Sequence, residues 1–464
     1  MAHYVFKVGQ RLILMSMTNL LFPHQNLLHH RFLQTDLGQL YLSIPFEQIA
    51  ATLPQPKHGM SGKGCKPWFD VQGGLGLQFL KHYLCLSDAL LIKRINTDWS
   101  MQYFCGIQLK PTEVIKDTNL PSFWRGYIGT YLDISAMQKA FANFWKPQLH
   151  QTNISTEDAT CYESRISFPT PVKITWDCCH KVYLSYNNKR KKLKQRESRC
   201  NYKAMHNAFL NYQKSRKKTK RGEKKLLKKL LKFLLRLLTL HKKLIGDYQL
   251  ILSSKESAQM LTITTVYEQQ HSKVYGHVEQ IKDRIVSLSK PYIRPIVRGK
   301  ETKAVEFGAK VNKLQVDGIS FIEHFSYDAF NEGTRLKNCI ALHQDLFSKC
   351  THHSADKIYA TNANRSYCTQ NKIINNFVPK GKQKVAHQEQ NKIMRAALDK
   401  ERSTRLEGSF GNEKNHYYLQ KINARNANTE KCWIFFGIMT ANAAIITNRR
   451  EKEEVHQKAL PKAA

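Results

Sequence analysis

The 464 residues are 42% apolar and 10% aromatic, an ordinary globular composition that excludes a wholly disordered chain. Lys and Arg number 73 against 36 Asp and Glu; the formal charge of +37 exceeds what solubility requires and points to a polyanionic partner, because a basic surface releases counterions from nucleic acid. Eleven cysteines, an odd number with no CxxC pair, argue against a disulfide framework and fit a reducing cytoplasm, and no run of about 18 apolar residues is present to span a membrane.

In chain order, "RLILMSMTNLLF" is apolar in part, but Asn and Thr interrupt it and no small-residue cleavage site follows, so no leader is expected there. Residues 31–54 have helical spacing in part and end in proline, and 56–74 read as a Gly-rich connector too irregular for a phosphate loop. From 75 to 107, Phe79, Leu80, Tyr83, Leu84, Leu86, Leu90, Leu91 and Ile95 recur at three and four, the pattern of a compact helical region. Sequence readout of DNA, which commonly uses a helix in the major groove, is expected from 75–147.

Between 187 and 245 the chain becomes densely basic, and two long helices joined by a basic turn are the simplest account. The second sets Leu226, Leu227, Leu230, Leu231, Leu234, Leu235, Leu237 and Leu238 against Lys224, Lys225, Lys228, Lys229 and Lys232. Such a helix either packs by its leucines and meets phosphates by its lysines, or lies on a membrane surface. A dense run of flexible cations gives affinity without a base code, so Lys224, Lys225, Lys228 and Lys229 are the expected phosphate contacts.

Beyond 258, "MLTITTVYEQQ" and "DRIVSLSKPYIRPIVRG" carry the Ile, Val, Thr and Tyr of strands, and "KAVEFGAKVNKLQVDGISFIEHFSYD" reads as a hairpin turning at Asp317-Gly318. A charged helical segment over 386–421 and a buried closing helix over 431–447 complete the chain, with a disordered tail after it.

A phosphoryl-transfer site needs carboxylates converging from strand ends and a helix, because hard Mg²⁺ takes oxygen ligands. Asp356 ends a strand-like stretch, Asp158 opens the sheet-forming half of the chain, and Glu407 stands on a helix beside Leu406 at the margin of its apolar stripe. Individually, a strand-end Asp is more often a turn or cap residue and a helical Glu among arginines a surface ion pair. Asp317, Asp328 and Glu413 are the substitutes.

The blocks "DATCYESRISFPTPVKITWDCC", "PYIRPIVRGKETKAVEFGAKVNKLQVDGISFIEHFSYDAFNEG", "ADKIYATNANRSYC" and "RLEGSFGNEKNHYYLQKI" resemble, in order, those of the DDE transposases of bacterial insertion sequences. The resemblance runs from about residue 30 to about 447. It implies an α/β, ribonuclease-H-like mixed sheet flanked by helices, with an N-terminal extension (1–29), a helical N-terminal domain (30–147), a catalytic domain (148–447) holding the basic helical insertion 187–245, and the tail 448–464. It places the acids of the family on Asp158, Asp356 and Glu407 as catalytic residues and ligands of two Mg²⁺ ions, with Mn²⁺ as the substitute, and a DNA-positioning Lys on Lys414. It further implies an enzyme that binds terminal inverted repeats and target DNA as a homodimer, cuts and joins strands, and works at the bacterial nucleoid without a membrane. The chain departs from the family pattern at the polar "TNISTE" before Asp158, at Lys357 beside Asp356, at Pro171 where an Asp is expected, and at Ser403 where an Arg is expected four before the Glu. Those departures support the alternative, a transposase-derived DNA-binding protein with an impaired site.

Overall fold

In the computed structural model, the described residues are 4–8, 11–15, 23–56, 67–196, 198–297, 304–381 and 385–459. The fold is mixed α/β, and the chain divides into two compact units: 1–164, 309–326 and 330–464 form one, and 165–308 with 327–329 the other.

The first unit begins with a small hairpin, β1 (Tyr4–Val8) and β2 (Arg11–Met15). Helices follow at Pro23–Leu33, Asp36–Leu42, Phe46–Ala51, Val71–Tyr83, Asp88–Ile95, Trp99–Phe104, Leu120–Tyr131 and Ile134–Trp145, several opened by the side chain of an Asp, Ser or Thr that accepts a backbone N–H. The expected Gly-rich connector lies outside the described residues over 57–66, and its end is a correction: "VQGG" is already helix. Asp70 caps it by accepting the Gly73 N–H at 2.7 Å, and Gly74 lets the Trp124 ring approach so closely that a Cβ there would stand 2.3 Å from it. Phe79 packs edge-on to Phe436 of the long helix Ala427–Ala459 at 5.2 Å, so the buried closing segment 431–447 belongs to the core of the helical region. That helix runs on to Ala459, which corrects the expected disordered tail for 448–459; 460–464 lie outside the described residues.

The sheet of this unit is built on β3 (Ile154–Glu163). On one side β3 neighbours β5 (Val305–Val316), which pairs antiparallel with β6 (Ile319–Ser326). On the other, β3 pairs in parallel with β7 (His352–Ala355), and β7 in parallel with β8 (Ile374–Asn375). The order β6-β5-β3-β7-β8 places β3 inside the sheet. The β5–β6 hairpin turns where it was expected: Asp317 (φ 46°) and Gly318 (φ 80°) adopt the left-handed conformations of a two-residue hairpin loop. The Asp317 carboxylate then receives Arg405 at 3.0 Å and Arg449 at 2.9 Å.

The second unit holds four helices, Pro171–Lys192, Tyr202–Lys214, Lys220–Asp247 and Ser254–Tyr275, and parts of the first three fall in 187–245, where two were expected. The short strand β4 (Pro295–Val297) pairs antiparallel with the first residues of β5. Pro171 occupies the first turn of its helix, where a missing N–H costs nothing, and Thr170 caps it. "MLTITTVYEQQ" is helix rather than strand. Ser253 and Glu256 form a reciprocal capping box, the hydroxyls of Thr262, Thr264 and Thr265 bond back to carbonyls four residues earlier, and Ile263, Val266 and Val274 enter the helical core. "DRIVSLSKPYIRPIVRG" is mostly irregular, with β4 its one strand among the described residues.

Candidate functional site

Successive residues of β3 point to opposite faces, and the two acids at its middle meet different surroundings. Glu157 is fully buried. It accepts from Asn312 Nδ2 at 2.7 Å and faces His353 Nε2 at 3.3 Å without hydrogen-bond alignment. Tyr359 donates to Asn312 Oδ1 at 2.7 Å, and Ser155 meets His353 Nδ1 at 2.8 Å. Burial pulls the His353 imidazole down, but the Cys350 thiol and the Glu157 carboxylate beside it outweigh burial and leave it up at about 9. The polar "TNISTE" therefore turns at Thr152–Asn153 into an inner strand whose Ser155 and Glu157 are matched by partners on β5 and β7.

Asp158 turns the other way and keeps 16% of its side chain exposed. Its Oδ1 accepts the Ala159 N–H at 2.7 Å and its Oδ2 lies 3.2 Å from Arg402 Nη1. Burial pushes its carboxyl up to about 6; repulsion from Glu332 and Asp356 adds to that, while the Ala159 N–H and Arg402 oppose it. Asp356 follows the last residue of β7, exposed, and caps a single 3₁₀ turn by accepting the Lys357 N–H at 2.7 Å. The pairing of Glu157 with Ala355 sets the position after each strand residue, Asp158 and Asp356, on neighbouring strands.

Glu407 opens the helix Glu407–His416, and Arg402–Leu406 immediately before it form one π turn in which the Glu407 N–H reaches back to the Arg402 carbonyl. In an α-helix residues five apart lie about 140° apart round the axis; the wider turn brings them to one side. Arg402 Nη1 accordingly lies 2.8 Å from Glu407 Oε1 while it also holds Asp158, and Leu406 stays buried. Asp158 and Glu407 thus share one guanidinium, and Asp356 stands at the end of the neighbouring strand β7, its charge opposing that of Asp158. A guanidinium between carboxylates is a stand-in cation, and an all-oxygen donor set suits Mg²⁺ or Mn²⁺. Among the described residues, no three His, Cys, Asp or Glu side chains stand close enough together to hold one ion.

The substitutes are engaged elsewhere. Asp317 is held by two arginines, Asp328 lies 3.9 Å from Arg294 Nε, and Glu413 is buried in an ion pair with Lys313 at 2.5 Å while accepting from Tyr162. Lys414 turns inward: its Nζ donates to Thr160 at 2.9 Å and lies 5.7 Å from the centre of the Tyr162 ring. Sequence reasoning missed Arg402, Lys313 and the Glu157–His353 pair. Only Lys313 left a signal, a cation amid the apolar alternation of a strand.

In the second unit, Lys224, Lys225, Lys228 and Lys229 are all exposed, while Leu226, Leu227, Leu230, Leu231, Leu234 and Leu237 are buried against the other helices. Most of the apolar face is consumed by packing, with Leu235 left half exposed. Among the described residues no single helix is long and apolar enough to cross one; a bent pair, Val71–Tyr83 with Asp88–Ile95, passes by length and composition, and its apolar residues are largely core. The ten described cysteines are free. No family model matches the chain, and no curated protein or solved structure matches it.

Proposed function

We propose that this protein is a DNA transposase of the DDE type, cutting DNA and joining strands with Asp158, Asp356 and Glu407 as its metal ligands. The observation that carries the reading is the gathering of Asp158 and Glu407, 249 residues apart by number, on one guanidinium, with Asp356 beside them. The strand order β6-β5-β3-β7-β8, antiparallel at β5–β6 and parallel at β3–β7–β8, supports a ribonuclease-H-like sheet with acids on its central strands.

When bound, two Mg²⁺ ions would activate water or a DNA 3′-hydroxyl and offset charge on the leaving oxygen. The protein's own part is to hold the ligands. β3 and β7 fix Asp158 and Asp356 on adjacent strands, the π turn delivers Glu407, and the buried Glu157–His353 pair anchors β3 to β7. The excess positive charge elsewhere counters DNA phosphates. Metal-dependent nicking of duplexes made from the DNA flanking the gene tests the reading.

The second reading, a transposase-derived DNA-binding protein with a silent site, is favoured by the Arg402 guanidinium that already occupies Asp158 and Glu407 and by Lys357 beside Asp356. Both readings share one expectation. Replacing Lys224, Lys225, Lys228 and Lys229 by Ala should weaken binding to all duplexes alike. It should also flatten the slope of log K against log salt by roughly 0.9 for each phosphate that the variant no longer neutralises. A gel-shift series across salt checks this, and a loss confined to one sequence would assign these lysines to base readout instead.

A further inference from the structure

We infer that Arg402 is a displaceable counter-cation, occupying the metal-binding oxygens of Asp158 and Glu407 until a DNA phosphate draws it away, so that DNA and metal bind cooperatively. The inference rests on the carboxylate reading above.

Three observations carry it. First, Arg402 Nη1 touches the oxygens that a metal ion would need, Asp158 Oδ2 at 3.2 Å and Glu407 Oε1 at 2.8 Å, so ion and guanidinium exclude one another there. Second, its Nε is buried without a hydrogen-bond partner among the described residues, so the planar fork is only partly satisfied where it stands. A phosphate offers two parallel bonds to such a fork, which a lone nitrogen straddling two carboxylates does not obtain. Third, Arg402 opens the π turn, an irregularity that recurs at functional sites, and only that turn brings an arginine five residues before Glu407 to its side. Lys310 and Lys313 are committed elsewhere, Lys310 to Glu332 at 2.6 Å and Lys313 to Glu413, while Lys357 beside Asp356 is exposed. Removing Arg402 from the carboxylates leaves their charges uncompensated, which is the condition for taking up a divalent ion. Linkage then requires metal to favour DNA binding by the factor by which DNA favours metal.

The test titrates the full chain with Mn²⁺, following free ion by its EPR signal, with and without a short blunt duplex of arbitrary sequence. DNA should tighten Mn²⁺ binding by wild type about tenfold. Arg402→Gln should bind Mn²⁺ about tenfold more tightly than wild type without DNA, and DNA should then change its affinity less than about twofold. Arg402→Lys, which keeps the charge but loses the fork, should fall between; it carries the test if Arg402→Gln does not fold. Asp158→Asn separates the two claims. If Mn²⁺ affinity depends on Asp158 but is unchanged or weaker on removing Arg402, the inference is overturned and the carboxylate site stands. If no protein binds Mn²⁺ through Asp158, both fall.

Discussion

Asp158→Asn is expected to melt higher than wild type at neutral pH while losing DNA cleavage. The Asp158 carboxyl is pushed from 3.8 up to about 6, chiefly by burial, so the native state holds that proton more tightly than the unfolded chain does. At about 1.4 kcal/mol per pKa unit, keeping it charged at pH 7 costs the fold on the order of 2–3 kcal/mol. The sign follows from the raised value: the wild type's deficit is full above about pH 6, shrinks as pH falls through 6, and vanishes below 3.8, where both states are protonated. The amide still accepts the Ala159 N–H and leaves Arg402 on Glu407. Melting curves of the two proteins from pH 4 to pH 7 should converge at the acid end. An Asp that merely served a stabilising ion pair predicts the reverse, a variant melting lower at pH 7.

Glu413→Gln should destabilise the protein by about 3–5 kcal/mol, because it strands the Lys313 ammonium, wholly buried between Ser409 and the Phe410 ring. Burial already lowers the lysine's pKa, so only the partner carboxylate keeps the charge tolerable. Exchanging both members, Lys313→Met with Glu413→Leu, should restore most of the loss, since apolar replacement of a buried pair is often neutral. Glu407→Gln, with half its side chain in solvent, should change denaturant stability by less than about 1 kcal/mol. Equal losses at the two positions would remove the distinction between a structural and a functional glutamate on this helix.

Features written in local chemistry were legible in the sequence. The Asp317-Gly318 turn followed from residues that tolerate positive φ, the basic helix from its lysine and leucine spacing, and Asp356 at a strand tip from the break after Ala355. Features decided by distant partners were not. Ile, Val and Thr over 260–266 spelled strand, but a capping box upstream and an apolar core on one side made them helix, tertiary packing overriding weak propensity. The polar start of β3 argued against a buried strand until Asn312, His353 and Cys350 supplied its partners. Arg402 was invisible because α-helical spacing puts it on the wrong side of Glu407. The missing Arg four before that Glu, Ser403 here, drew attention to a vacancy that the π turn fills from one residue earlier.

Nicking of a duplex made from the DNA flanking the gene, with any inverted repeat it contains, with and without Mg²⁺, tests the central claim most directly. Wild type should nick at the repeat boundary only when the metal is present, and Asp356→Asn and Glu407→Gln should each slow nicking at least about a hundredfold at duplex concentrations that saturate binding. Nicking that persists without metal, or that survives in either variant, would contradict the assignment of Asp158, Asp356 and Glu407 as the metal-holding acids.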